Sequence, residues 1–107
     1  MIKVTYHRKR HRLTAVGHAG QGPKGHDLVC AAVSALVLTM ASNVAGLATQ
    51  EQVRHPVLRV QEGDGWISCV PKPGMQPVVT MIFDAVCAGF ELLETLYPES
   101  IEYRIIG

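Results

Sequence analysis

The stretch DLVCAAVSALVLTMASNVAGL, residues 27–47, decides the architecture of this chain. It opens on an aspartate, contains no proline, and is carried mainly by Ala, Val and Leu. It therefore predicts a helix from Leu28 to about Leu47, with Asp27 as the N-cap and Gly46 near the end. Apolar side chains fall on nearly every side of that helix. A helix apolar all round must be covered all round, so it packs on a sheet and also under another element or a second subunit, which points to a homodimer. Its longest apolar run, Leu28 to Ala41, is interrupted by Ser34 and Thr39 and is shorter than the roughly 20 residues of a membrane span, so no membrane partner is expected.

Outward from this helix the hydrophobic period changes to two. Ile2 to Tyr6 alternates, with Ile2, Val4 and Tyr6 on one face, and Arg12 to Gly17 alternates again; the polar run between them predicts a hairpin. Beyond His55-Pro56, Val57 to Val60 and Trp66 to Val70 flank Gly63-Asp64-Gly65, which suits a tight turn. Pro77 fits the first turn of a second helix, whose apolar residues recur at helical spacing until Pro98, and Ile101 to Ile105 reads as a closing strand. The order is strand, strand, helix, strand, strand, helix, strand. It predicts an α+β fold of two layers, with a five-stranded, largely antiparallel or mixed sheet and two long helices packed on one face, in a single domain over residues 1–107.

Composition excludes several classes. The formal net charge is +1, too balanced for a surface devoted to nucleic acid or anionic membrane, so any basic site must be local. The cysteines Cys30, Cys69 and Cys87 are odd in number and lack C-x-x-C spacing, which argues against a disulfide framework or a zinc ribbon. A reducing cytoplasm is expected, and the N-terminus has no secretory apolar core.

Chemistry concentrates between residues 18 and 34. Cys30 falls in the first turn of the predicted helix, and His18 and His26 precede it. A thiol beside an imidazole is the pairing that cysteine peptidases use as nucleophile and base, since a neighbouring imidazolium stabilises a thiolate far below its ordinary pKa of about 8.5. The helix dipole adds only about 0.3–1 kcal/mol. His18, at the end of a strand, has the more fixed placement; His26 lies where the chain turns. Gly20, Gly22 and Gly25 of the intervening loop permit close approach of backbone to a ligand, although an ordinary strand-to-helix connection has the same composition. The loop lacks the G-x-x-x-x-G-K-[ST] pattern of a phosphate loop. Ser34, one turn beyond Cys30, either meets substrate or bonds back to the carbonyl of Cys30. Asp27, as a cap, would occupy one of the amides otherwise open to an oxyanion. A zinc site from His18, His26 and Cys30 is the alternative use of the cluster. Cys69 and Cys87, among apolar neighbours, are assigned to the core.

The run His7-Arg8-Lys9-Arg10-His11-Arg12 reads either as a solvated hairpin tip or as a contact for RNA or an acidic partner.

Gly17-His18-Ala19, the glycines after it, and Gly25-His26-Asp27-Leu28-Val29-Cys30-Ala31-Ala32-Val33-Ser34-Ala35 together resemble the signature of the bacterial ribosomal-processing cysteine protease family, Prp. The resemblance implies a single cysteine protease domain of α+β fold that removes a short N-terminal extension from large-subunit ribosomal protein twenty-seven during ribosome biogenesis, acting as a cytoplasmic homodimer. It places the catalytic histidine on His18 and the nucleophile on Cys30, with Asp27 and Ser34 in supporting positions. No metal or cofactor is required. The basic run His7 to Arg12 has no counterpart in the family signature. The rival readings are a non-catalytic ribosome-associated binding module and a thiol redox or metal-binding protein.

Overall fold

The structure, a computed structural model, describes residues 1–17, 26–61 and 64–107, with His26 described in its backbone only. The expected order of elements is present. β1 (Ile2–His7), a 3-10 turn (Arg8–Arg10) and β2 (Arg12–Val16) form the first hairpin, and α1 (His26–Thr49) follows. β3 (Val53–Gln61) and β4 (Asp64–Pro71) form the second hairpin, and α2 (Gln76–Leu96) leads to β5 (Ile101–Ile106). One mixed sheet results, in the order β3-β4-β2-β1-β5, with β5 parallel to β1 and the other pairs antiparallel.

Alternation places one face of this sheet inside. Ile2, Val4 and Tyr6 of β1, Leu13 and Ala15 of β2, Ile67 and Cys69 of β4, and Ile101 of β5 are buried. They pack in one cluster with Val29, Val33, Val37, Met40, Val44 and Leu47 of α1 and with Val79, Phe83, Cys87 and Phe90 of α2. Both helices thus serve one face, as the sequence predicts. Burial pushes the Cys69 thiol up to about 11 and that of Cys87 up to about 12, so both are core thiols held protonated.

Several boundaries differ from expectation, each for a local reason. Asp27 is not the cap: α1 begins at His26, so Asp27 is an exposed residue inside the first turn and Cys30 is the fifth helical residue rather than the third. Gly46 does not end the helix, which runs on to Thr49. There Glu51 takes a left-handed φ of 58°, and the Glu51 and Gln52 amides bond to the carbonyls of Ala48 and Leu47, the Schellman arrangement that glycine usually supplies. As a result Asp27–Thr49 is long and apolar enough to cross a membrane by length and composition, longer than the sequence suggests; here its buried stripe packs on the sheet.

β3 starts at Val53 and passes through His55-Pro56 instead of beginning after it. Proline is tolerated because β3 is an edge strand and its register shifts between Arg54 and Val57, where His55 adopts a φ of 51°. In the second hairpin Asp64 and Gly65 belong to β4 rather than to the expected turn, and Gly63 lies outside the described residues.

Candidate functional site

Between the start of α1 and the ends of the strands lies a cleft of about 360 Å³. Its α1 wall is Cys30, Val33, Ser34, Val37 and Leu38. The facing wall is Ile2, Ala15 and Gly17 from the first hairpin, and Val60, Gln61 and Asp64 from the second. Cys30 and Ser34, four residues apart, share this face of the helix, with Cys30 half-buried and Ser34 exposed.

The position of Cys30 in the helix determines what surrounds its sulfur. As the fifth residue it lies past the first turn, so its own amide belongs to the regular helical ladder, and the helical residues whose N–H groups have no partner within the helix are 26–28. Helical Cα–Cβ bonds tilt toward the N-terminus, which aims the Cys30 side chain back toward that turn. Exposed Asp27 sets a carboxylate there. An anion is stabilised at this end of a helix by about 0.3–1 kcal/mol, but it also offsets the positive dipole that a thiolate would use.

The opposite wall ends at Gly17, whose N–H donates to Asp64 Oδ1 at 3.2 Å. This bond ties the exit of β2 to the start of β4. His18 is the next residue along the chain; it, Gly20, Gly22 and Gly25 lie outside the described residues, and so does the side chain of His26. Gly17 is required by space: a Cβ there would lie 2.8 Å from Ile2 Cα. Gly65 is required likewise, since a Cβ would meet Val37 Cγ1 at 2.6 Å, so α1 approaches β4 closely beside the cleft.

Sequence reasoning missed Asp64, Val60 and Gln61. Their place in the cleft depends on β4 pairing with β2, a long-range choice that local pattern does not encode. Among the described residues no group of three or more His, Cys, Asp or Glu side chains is placed to hold a metal ion.

The basic run divides. His11 is not exposed, contrary to the hairpin-tip reading and to its assignment as an RNA contact. It is 3% accessible, its Nε2 shares a 2.7 Å hydrogen bond with Thr80 Oγ1, and its ring meets Phe83 edge-on. The left-handed φ of 48° that closes the turn directs it inward. Arg8 donates two hydrogen bonds to Asp84, at 3.1 and 3.0 Å, and the Tyr6 hydroxyl donates to the same carboxylate at 2.7 Å. The Arg8 hydrogen bond is the main reason the Asp84 carboxyl lies below the usual carboxylate range. Lys9 and Arg10 are exposed, and Arg12 lies over the Trp66 ring, its guanidinium carbon 4.7 Å from the ring centre.

Known proteins are similar to this chain in sequence and in fold. The family model described as "Cysteine protease Prp" matches residues 1–102. The "Ribosomal processing cysteine protease Prp" of Mycoplasma pneumoniae is 40% identical over 108 residues, covering 97% of this chain and 94% of that protein. Among solved structures, the Staphylococcus aureus ribosomal processing protease Prp in complex with a substrate peptide superposes with a TM-score of 0.74 at 22% identity, covering 98% of this chain and 99% of that one. A Streptococcus mutans structure superposes with a TM-score of 0.66 at 23% identity, covering 98% and 91%.

Proposed function

Because this chain belongs to the Prp family of ribosomal-processing cysteine proteases, we propose that Cys30 is its nucleophile, that His18 is the base, and that its substrate is the N-terminal extension of bacterial large-subunit ribosomal protein twenty-seven. The observation that carries this reading is the cleft itself, which opens on Cys30 at one wall and ends at Gly17, the residue before His18, at the other. Its lining is mainly apolar, through Ile2, Val33, Val37, Leu38 and Val60, so it suits an apolar side chain of an extended peptide next to the cut bond.

In the proposed reaction the Cys30 sulfur attacks the scissile carbonyl carbon while its proton passes to His18. The carbonyl oxygen takes up negative charge, for which amides of the first turn of α1 are the available donors. The C–N bond then breaks, His18 returns the proton to the departing amine, and an acyl-thioester remains on Cys30. Water hydrolyses it, freeing the extension as a carboxylate and regenerating the thiol. Asp27 supports the geometry of the first turn, Ser34 contacts substrate one turn along, and Gly20, Gly22 and Gly25 let the loop backbone approach the peptide.

The enzyme is proposed to work in the cytoplasm as a homodimer. Support for the dimer is the apolar surface left on the helices, where Leu28 is 63% and Met81 70% accessible. Light scattering would then give about twice the chain mass of 11.6 kDa, and a single-chain mass would contradict it. Within the basic run, contact with ribosomal RNA is left to His7, Lys9, Arg10 and Arg12, since His11 is in the core and Arg8 is held by Asp84.

The test of the catalytic assignment is incubation with a peptide spanning the extension of the ribosomal protein. Wild type cleaves it at one bond, whereas Cys30→Ala and His18→Ala each lose more than about a thousandfold in rate. Intact peptide after incubation with folded wild type, or cleavage by Cys30→Ala at the wild-type rate, contradicts the proposal.

A further inference from the structure

The face of the sheet turned away from the helices carries a pattern that peptide cleavage does not use. Strand pairing fixes which residues share it. One row crosses all five strands as Arg59, Trp66, Thr14, Thr5 and Arg104, each opposite the next. Beside it, Ser68, Arg12 and His7 form a second row, and Lys3 and Arg54 stand on the same face further along. Among the described residues the face holds five cations, Lys3, Arg12, Arg54, Arg59 and Arg104, against the carboxylate of Glu102 and, at the rim shared with the cleft, that of Asp64, in a chain whose net charge is only +1. Glu102 is engaged by Arg104 at 3.2 Å. The positive charge of the molecule is therefore concentrated here, and the exposed Lys9 and Arg10 extend it past the end of β1.

Charge alone would suit any anion. The aromatic group narrows the choice. Trp66 is the protein's one tryptophan, it is 39% accessible, and it lies in the open face with the Arg12 guanidinium stacked on it. An exposed indole beside the half-buried Arg12 guanidinium, its N–H donating to Ser68 Oγ at 3.3 Å, with the hydroxyls of Thr14 and Thr5 next to it and arginines at both sheet edges, offers stacking surface for bases, hydrogen-bond partners for their edges, and counter-charges for phosphates. The surface is a flat sheet about 19 Å across at the usual strand spacing of about 4.8 Å. Among the described residues no helix or strand projects from this face to enter a duplex groove, so unpaired bases are the form it suits.

We propose that this open sheet face, centred on Trp66 and Arg59, binds single-stranded RNA. The chain belongs to a ribosomal-processing family, and RNA held on this face would keep the enzyme beside its proposed ribosomal protein substrate. The inference rests on the sheet face and the family, and does not depend on which residues perform the cleavage.

Because Trp66 is the only indole, its fluorescence reports the site directly. The experiment titrates the full chain with an eight-nucleotide single-stranded RNA, the corresponding RNA duplex, and inorganic polyphosphate, at about 50 mM salt. The single strand quenches Trp66 and binds at least about tenfold more tightly than the other two, and log K falls with log salt by about 0.7 per phosphate contacted. Arg59→Glu weakens the RNA complex more than about tenfold while peptide cleavage stays at the wild-type rate. The proposal is overturned if Trp66 is unmoved up to about 100 μM RNA. It is equally overturned if duplex or polyphosphate binds as well as the single strand, if Arg59→Glu binds as wild type does, or if Trp66 emission shifts on dilution of the protein alone, which would make the face a self-association surface.

Discussion

Cys30 differs from the other two thiols of the chain by its surroundings. Cys69 and Cys87 are 2% accessible within the apolar core, whereas Cys30 borders the cleft. Local sequence anticipated this division, because a thiol near a helix start after a glycine-rich loop stands out from thiols inside apolar runs. His11 shows the limit of such reading. Four cationic neighbours in the sequence, Arg8, Lys9, Arg10 and Arg12, suggest exposure, yet one left-handed residue turns its ring beneath α2. Burial, and then the charge of Arg8, hold the His11 pKa below its usual 6.5, against an opposing pull from Asp84. The folded protein therefore keeps this ring neutral where the unfolded chain takes up a proton. Stability from this source is full above pH 6.5 and is lost as pH falls below that value. The depressed Asp84 carboxyl acts in a separate window, contributing stability above its ordinary value of 3.8 and losing it at lower pH. Urea unfolding between pH 7.5 and pH 5 should show falling stability in wild type and a flatter profile in His11→Gln; equal slopes in the two proteins would exclude His11 as the cause.

At the scale of elements, the hydrophobic pattern located β1, β2, β4 and α2, which bury one face, while α1 was marked by its continuous apolar composition and β3, exposed along most of its length, by the turn residues around it. The errors fall at ends. A helix boundary is set by which residue can take a cap or left-handed conformation, and here Glu51 does what a glycine was expected to do. Pro56 marked a break by its lost N–H, but an edge strand with a shifted register absorbs it. The junction most exposed to test is the exit of β2. Gly17→Ala forces a Cβ against the backbone of Ile2, so the end of β2 must move, and with it the Asp64 bond and the start of the segment leading to His18. The substitution should cost about 1–3 kcal/mol of stability. It should also slow peptide cleavage about a hundredfold, in keeping with the cost of misplacing a catalytic group by an ångström. Gly46→Ala is the control: nothing lies within 4 Å of its new Cβ, and it should stabilise the protein by about 0.5–1 kcal/mol. Wild-type cleavage by Gly17→Ala would show that the β2 exit does not position the site.

Across the whole molecule, the sequence carries the layer arrangement but not the order of strands. That order depends on pairings such as β2 with β4, between segments some fifty residues apart, for which composition holds no local mark. The far wall of the cleft, at Val60, Gln61 and Asp64, was hidden for the same reason. So was the open face, whose cations come from β1, β2, β3 and β5 and meet only once the sheet has formed. Family membership sets aside the non-catalytic and redox readings and makes the chain a cysteine protease. The central chemical claim is that its covalent intermediate forms on Cys30. Acid quenching of wild type during turnover of the extension peptide, followed by mass spectrometry of the digested protein, reads this directly. The account predicts an adduct with the mass of the N-terminal fragment less one water, on the peptide containing Cys30; an adduct on Cys69 or Cys87, or steady product formation by Cys30→Ala, would contradict it.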